Sequence, residues 1–551
     1  MPVVIKRRLG DMAQMKKDPL VLISVILLLV CSALFIVWPV FRVLGYAAGS
    51  DFSLFFRAGV WRNAMLHSLF LTALATLTGT AAAFLFAYTI VRLPVPLKKL
   101  FHFVTILPIL SPPFILSLSY ILLFGGQGIV TNRILGLHVN IFGWQGLWFV
   151  QTITFFPYAY AVMEGVLSSI PPSLEYAAAN LGATRLRVFL DVTLPLCRPG
   201  IAGGALMVAI NVLTDFGNPV MIGGNYSVLP TEAYMQVVGI GNLSTASMLT
   251  TMLLIPAVLI FLMNKYWITR RSYVTVTGKG NGMTLSKTPP AVKWVLFGVC
   301  MLFSLVVLSV YGILFYGSFT KLWGYDWTPS LKNYLYVFFA GGQIVNSILY
   351  ALLSALLSSI IGAATAYLVQ KKHTGLGRVL DFFAVIPGAV PGIFLGLGFA
   401  IAFNEPPLFL TGTTAIMVIA LTVWNLPNCY TASTAALEQI GDSIEEASLN
   451  LGGGSLLTFR RIILPLLRAP FLSGFMVAFL RSVTCLSVVI FIYSVNTMVG
   501  TISILNFVQT GLWGSAAALT VLLIACSFAV MGVIRLLLRR QSKMGRNERV
   551  F

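Results

Sequence analysis

Two ionisable residues stand well inside apolar stretches of this 551-residue chain, Asp215 and Arg481. A charge at membrane depth is costly and ordinarily faces a cavity or a partner. At a constant offset of 270 residues Arg481 aligns with Asn211 and Asp215 with Cys485. Residues four apart lie about one helical turn apart on one face, so Asn211, Asp215 and Arg481 form a candidate pathway or gate if the two stretches face each other. The competing interpretations are a purely structural ion pair, or an Asp215 that already sits at the outer surface. Other chemistry is scarce. The four His (His67, His102, His138, His373) fall at span ends or in loops, and no carboxylate cluster occurs in the core. Hard cations need convergent oxygen or imidazole ligands, so no metal site is assigned. Cys31, Cys197, Cys300, Cys429, Cys485 and Cys526 stand far apart and resemble small hydrophobes rather than disulfides or metal ligands. No GxxxxGK[ST] phosphate loop exists; the only Gly-Lys, Gly278 and Lys279, is followed by Gly280, so ATP chemistry must come from another chain. With no HExxH, no paired catalytic carboxylates in a span and no Ser-His constellation, a membrane-embedded enzyme is a poor second class.

The elements that position these residues follow from composition. The chain is 58% hydrophobic and 9% charged, with mean hydropathy +0.91, whereas soluble domains carry roughly 25% charged residues. An all-α polytopic membrane protein is expected. At the width of about 20 apolar residues per crossing, six spans lie near 20–42, 65–91, 100–124, 144–168, 200–223 and 247–268. Six more lie near 291–317, 344–370, 380–403, 412–437, 471–496 and 515–538. The first follows a basic start (Lys6, Arg7, Arg8, Lys16, Lys17) like that of a signal peptide but is too long for a cleaved segment. The net charge of +20 has a topological explanation. Of the 36 Lys and Arg, 29 fall in one alternating set of inter-span segments and six in the other. Because Lys and Arg are retained on the cytoplasmic side, both termini are placed inside. The polar stretch 270–290 is read as a cytoplasmic linker between a first half, 1–269, and a second, 291–551.

The halves repeat each other. The segment beginning at Glu175 aligns without gaps with that beginning at Glu445, pairing Leu181 with Leu451, Gly182 with Gly452, Pro195 with Pro465 and Arg198 with Arg468. Upstream, Ser68 pairs with Ser347 and Pro108 with Pro387 at an offset of 279, and a longer outer loop in the first half accounts for the difference. Each half is then a six-span unit of the same orientation, a parallel repeat that places a pathway between the halves. Pro108, Pro112, Pro113, Pro387 and Pro391 kink the third and ninth spans, and prolines are ordinary there. Gly392, Gly396 and Gly398 have the spacing of close helix packing; none of these is assigned a site.

The repeated segment, 172–199 and again 442–470, joins the fourth and fifth spans of each half. Pro171 and Pro172 end one element, Ser173 can cap the next, and a short helix runs through Ala177, Ala178 and Ala179. Gly182 permits the positive φ that turns the chain, and Pro195 limits the later helix. The result is a helix-turn-helix with a small-residue tip, where a partner surface approaches the backbone closely and Glu175, Glu445 and Glu446 offer charge. A helix lying in the headgroups is the alternative; duplication at matching positions favours two docking points.

Glu, Ala-Ala, Leu-Gly-Ala and Leu-Pro in that order resemble the "EAA" loop of permease subunits of bacterial binding-protein-dependent ABC importers. The resemblance implies the type I importer permease fold, about 12 transmembrane helices as two parallel six-helix repeats, in the bacterial cytoplasmic membrane. It implies that each loop is a coupling helix set into a groove of a cytoplasmic ABC ATPase dimer, which carries the ATP and Mg. It also implies an extracytoplasmic substrate-binding protein as second partner, and no cofactor on this chain. Carried over residue by residue, the docking role falls on Glu175, Ala177, Ala178, Gly182 and Ala183, and on Glu445, Glu446, Ala447 and Gly452. Tyr176 stands where the motif has glutamate, and Ser448 and Gly453 replace alanines. Two fused halves, "TDFGNPVMIGGNYSVLPTEAYMQ" at 214–236, "RRSYVTVTGKG" and "GQGIVTNRILGL" look like the ferric-iron importer permeases. Similar fused permeases serve phosphonates, sugar phosphates, thiamine and polyamines, and those cargoes stay open. A secondary transporter is the remaining rival, but it has no reason to duplicate a Gly-broken, Ala-rich loop.

Overall fold

The computed structural model describes residues 19–112, 114–137, 140–268, 289–339, 341–372, 375–406, 408–441 and 443–547. Lys6, Arg7, Arg8, Lys16, Lys17, Pro113, His138, His373 and the linker 270–288 lie outside them. Among the described residues nine helices are long and apolar enough to cross a membrane, and three sharply bent pairs raise the number to twelve. These are the twelve expected spans. Gln343–Gln370 and Thr414–Leu437 coincide with their expected positions almost residue for residue, while Gly59–Arg92, at about 1.5 Å per residue, is roughly 50 Å long and overreaches a ~30 Å hydrocarbon core.

Four spans are broken more deeply than their sequences suggest. In the third, the helix Lys98–Ile106 tightens at Leu107–Leu110 and a new helix starts at Ile115. In the ninth, Gly377–Gly388 and Gly392–Ala402 meet at 108°. Proline lacks the N–H of a helical bond and its ring clashes with the preceding turn; with Pro387 and Pro391 so close, the span turns a corner instead of kinking. The expectation of continuous fifth and eleventh spans over 200–223 and 471–496 is also corrected. The helix Arg185–Leu213 stops at Thr214, and a short helix, Gly217–Ile222, resumes after two residues. In the second half Phe459–Leu466 and Arg468–Val483 meet at 66°, and the latter stops at Thr484. Thr214 and Thr484 are equivalent. Each donates its hydroxyl to a carbonyl one turn back, Ile210 at 2.8 Å and Leu480 at 2.9 Å, and such back-bonding competes with the helix ladder.

In each half the second, fourth and fifth spans of the repeat pack together, as do the eighth, tenth and eleventh. Close approach is set by small residues: a Cβ on Gly204 would lie 3.1 Å from Ala159, and one on the equivalent Gly474 3.3 Å from Cys429. The first span of each half crosses over. Pro19–Ala48 packs on the sixth span of its own half and on the ninth of the other, and Pro290–Phe319 packs on the twelfth and on the third. A Cβ on Gly398 would lie 3.0 Å from the carbonyl of Pro39, and one on Gly396 2.4 Å from that of Val488, so these glycines do serve close packing.

The face opposite the duplicated loops differs between halves. After the first span, Asp51 caps the short helix Phe52–Arg57, its carboxylate accepting from the Ser53 amide at 2.8 Å. After the seventh, strands Thr320–Leu322 and Asp326–Pro329 form an antiparallel hairpin turned by Gly324 at φ +85° and closed by Lys321 and Asp326 at 2.8 Å.

Candidate functional site

The two breaks face each other across a cavity of about 100 Å3. Tyr158, Asn211, Thr214 and Asp215 line it from the first half, and Trp424, Arg481, Thr484 and Ser487 from the second. All three candidate residues, Asn211, Asp215 and Arg481, thus share one cavity at the junction of the halves.

They do not form an ion pair. Asp215 is buried, and its Oδ2 accepts from Gln151 Nε2 at 3.0 Å and Asn218 Nδ2 at 2.9 Å, while Oδ1 accepts from the Asn218 amide at 3.3 Å. Arg481 is half-buried, with its guanidinium 5.2 Å from the centre of the Trp424 ring. Among the described residues no carboxylate lies within ion-pair distance of it. Asn211 donates to the Met207 carbonyl at 2.7 Å.

Sequence reasoning missed the residues that hold Asp215. Ser117 donates to Asn218 Oδ1 at 2.7 Å, extending the network to the third span. At the equivalent places the second half has Leu421 for Gln151, Cys485 for Asp215, Val488 for Asn218 and Gly396 for Ser117. Polar residues in one repeat facing apolar ones in the other were the available signal.

The duplicated loops project from the far end of the same fifth and eleventh spans. The fourth span, Trp144–Ser169, bends by 59° into the helix Pro172–Asn180, and its counterpart is Ser443–Asn450. Gly182 and Gly452 both adopt positive φ, +86° and +78°, and a Cβ on either would meet open space. Ala177, Ala447 and Glu446 are exposed, while Ala178 and Ala183 are half-buried; Glu445 lies in the second helix. The expectation that Glu175 offers charge to a partner is overturned. Its side chain is buried, with Oε1 3.3 Å from Arg92 Nε and accepting from the Thr193 hydroxyl at 3.0 Å. Arg92 also donates to the Ile170 carbonyl at 3.0 Å. A carboxylate beside a buried guanidinium is better paired than hydrated, so Glu175 ties the loop to the second span. The residues at the tip are leucines: Leu181 and Leu451, each 89% exposed and each preceding the turn glycine. Their pairing in the repeat was visible, but attention to alanine and glycine passed over them.

The remaining imidazoles do not converge. His67 stacks on Tyr226 at 3.8 Å and His102 Nδ1 lies 2.9 Å from the Tyr160 hydroxyl.

Comparison with known proteins adds to this geometry. The family model for the binding-protein-dependent transport system inner membrane component matches twice, over residues 75–273 and 355–543. The ferric transport system permease protein FbpB of Actinobacillus pleuropneumoniae is 35% identical over 477 residues, 84% of this chain and 69% of that protein. The putative ferric transport system permease protein FbpB 1 of Haemophilus influenzae is 33% identical over 514 residues, 89% and 81% of the two chains. The molybdenum transport system permease protein ModB of Escherichia coli is 30% identical over 217 residues, 38% of this chain and 94% of that one.

Proposed function

This chain belongs to the binding-protein-dependent transport system inner membrane components, and on that ground we propose that its cargo is iron(III). The cargo would arrive on a soluble binding protein and be moved by ATP hydrolysed on a separate ATPase dimer. The chain is the multi-pass permease of an ABC importer; the observation that carries the iron reading is likeness along nearly the whole fused chain to ferric permeases, where the molybdenum permease matches only part.

In this reading the face bearing the duplicated loops is cytoplasmic, as are both termini, in keeping with the distribution of Lys and Arg. Leu181 and Leu451 dock into the ATPase, with Gly182 and Gly452 letting the backbone close against it. Closure of the ATPase dimer on ATP draws the loops together. Each loop continues into a span that ends at the cavity, so the pull reaches Thr214 and Thr484 through the helices themselves. Rotation of one half against the other then parts Asp215 from Arg481 and opens the constriction to the binding protein, and the reverse motion releases cargo inward.

The test is uptake of radiolabelled iron(III) by iron-limited cells lacking this gene, with and without the gene restored, in the presence of excess phosphonate or sugar phosphate. Restored uptake that these compounds do not inhibit supports the reading. Unchanged iron uptake with lost growth on a phosphorus compound would keep the permease and replace its cargo by an organophosphate.

A further inference from the structure

The cavity between the breaks holds a cation with, among the described residues, no ion-pair partner and no ligand set for a free ferric ion. Arg481 reaches into it from the second half, and among the described residues no carboxylate neutralises it. Its face-on contact with Trp424 holds the guanidinium in place without cancelling its charge. The one acid present, Asp215, is not paired with it: both of its oxygens accept hydrogen bonds from Gln151 and Asn218, neutral and buried donors that hold the carboxylate on its own side of the junction. Around these two stand amides, hydroxyls and aromatic rings. Among the described residues no three His, Cys, Asp or Glu come together as a metal-binding group, so the cavity has no set of hard donors to replace the hydration shell of a trivalent cation. A bare iron(III) would pass beside the Arg481 guanidinium with no such donors to take the place of its waters.

We propose that the cargo crosses with its own anionic ligands, as a ferric complex of a small oxygen-donor anion such as phosphate or citrate, with Arg481 contacting the anion's oxygens. Guanidinium is suited to that contact, because its planar fork donates in pairs to carboxylate or phosphate oxygens. The anion supplies the iron's ligands, and the permease needs only one cation to receive the anion. Placing the cation on the second half and the capped acid on the first means that the complex is held from one side, and rotation of the halves moves that contact relative to Asp215. This inference rests on the iron reading above.

The experiment reconstitutes the full chain with its cognate ATPase and binding protein in liposomes, and follows 55Fe together with 32P-phosphate in one arm and 14C-citrate in the other. Anion entering with iron at a fixed ratio near one or above, in either arm, is the expected result, and the arm identifies the anion. Arg481→Gln is expected to lower ATP-dependent iron entry at least tenfold, and Arg481→Lys, which keeps the charge, to restore a substantial part of it; the Lys variant also controls for folding. Iron entering with neither anion, or entering as fast through the Arg481→Gln permease as through the wild type, overturns the inference and leaves iron as the cargo. No ATP-dependent iron entry by the wild-type system, with the binding protein loaded, overturns the iron reading and the inference together.

Discussion

At the break of the fifth span Asp215 is tied to Gln151 and Asn218, and Asn218 to Ser117; at the same positions of the second half stand Cys485, Leu421 and Val488, all buried, with Gly396 against the Val488 backbone. One backbone bend is held by a polar network in one half and by packing in the other. The same contrast appears in the duplicated loops. Ala183 N donates to the Ala178 carbonyl at 3.1 Å, and Gly453 N to the Ser448 carbonyl at 2.9 Å, but the second loop adds a 2.7 Å hydrogen bond between the Ser448 and Thr458 hydroxyls. A Cβ on Gly453 would lie 2.6 Å from Ser448 Oγ. The two departures from the alanine pattern therefore belong together: the hydroxyl occupies the space of the missing methyl. At the break and in the loop the halves exchange one kind of contact for another, which frees side chains at the junction to differ in charge.

The largest effect should come from the tips. Gly182→Asp and Gly452→Asp each add about 1–2 kcal/mol of left-handed strain and a charge beside an exposed leucine. Either is expected to lower binding-protein-stimulated ATP hydrolysis by on the order of tenfold or more while membrane insertion persists. A loop whose Asp variant hydrolyses ATP normally does not dock, and the functional symmetry of the two would be lost.

Next comes the bend. Asp215→Ala strands the Gln151 and Asn218 amides, at about 1–3 kcal/mol for each donor left unmatched, measured as denaturation of the purified chain in detergent. The fourfold variant Ser117→Gly, Gln151→Leu, Asp215→Cys, Asn218→Val copies the second half and should recover most of that loss, since removing all partners together is far less costly than removing one. If it is no more stable than Asp215→Ala, the two bends are not interchangeable.

Gly453→Ala should cost about 1–3 kcal/mol by overpacking, and Ser448→Ala in the same chain should relieve the part due to the Ser448 hydroxyl, the Ser448 carbonyl at 2.9 Å staying in place. Thermal denaturation of the single and double variants gives the coupling between the two sites; independence would remove the explanation of their joint substitution.

How much of this could be read beforehand divides along physical lines. Hydropathy counts over some 20 residues, so it found the twelve spans, and a constant offset found the repeat and placed Asn211, Asp215 and Arg481 at one junction. An unwinding of a few residues after Leu213 or Val483 barely alters such a count, and the breaks passed unseen. The burial of Glu175 depends on Arg92, far upstream, and no local pattern announces it. Leu181 and Leu451 were legible from the repeat, because an apolar side chain beside a turn glycine in both loops has no reason to stay apolar on a solvated tip.

The smallest effect compares the opposite face. Asp326 is held down to about 2, chiefly by hydrogen bonds from Lys321 and Thr328, and Asp51 is lowered chiefly by Ser53. A depressed carboxylate contributes above its unfolded value, near 3.9, and loses that contribution as pH falls through its folded one. Protection of the Thr328 amide, which donates to Asp326 at 3.1 Å, should therefore be flat by hydrogen exchange from pH 7 to 5 and fall only as pH drops toward 2. Loss near pH 5 would mean that the hairpin is not held by this pair.

The crossing of the first span onto the other half also sets an order of events during synthesis. Pro19–Ala48 finds half of its packing surface only when Gly392–Ala402 has been made, some 370 residues later, or about 20–75 s at roughly 5–20 residues per second. Through that interval the nascent first span waits in the bilayer with one flank against lipid, a window in which a membrane chaperone or protease can act on it. Joining the two halves in one chain ensures that the awaited surface emerges from the same ribosome.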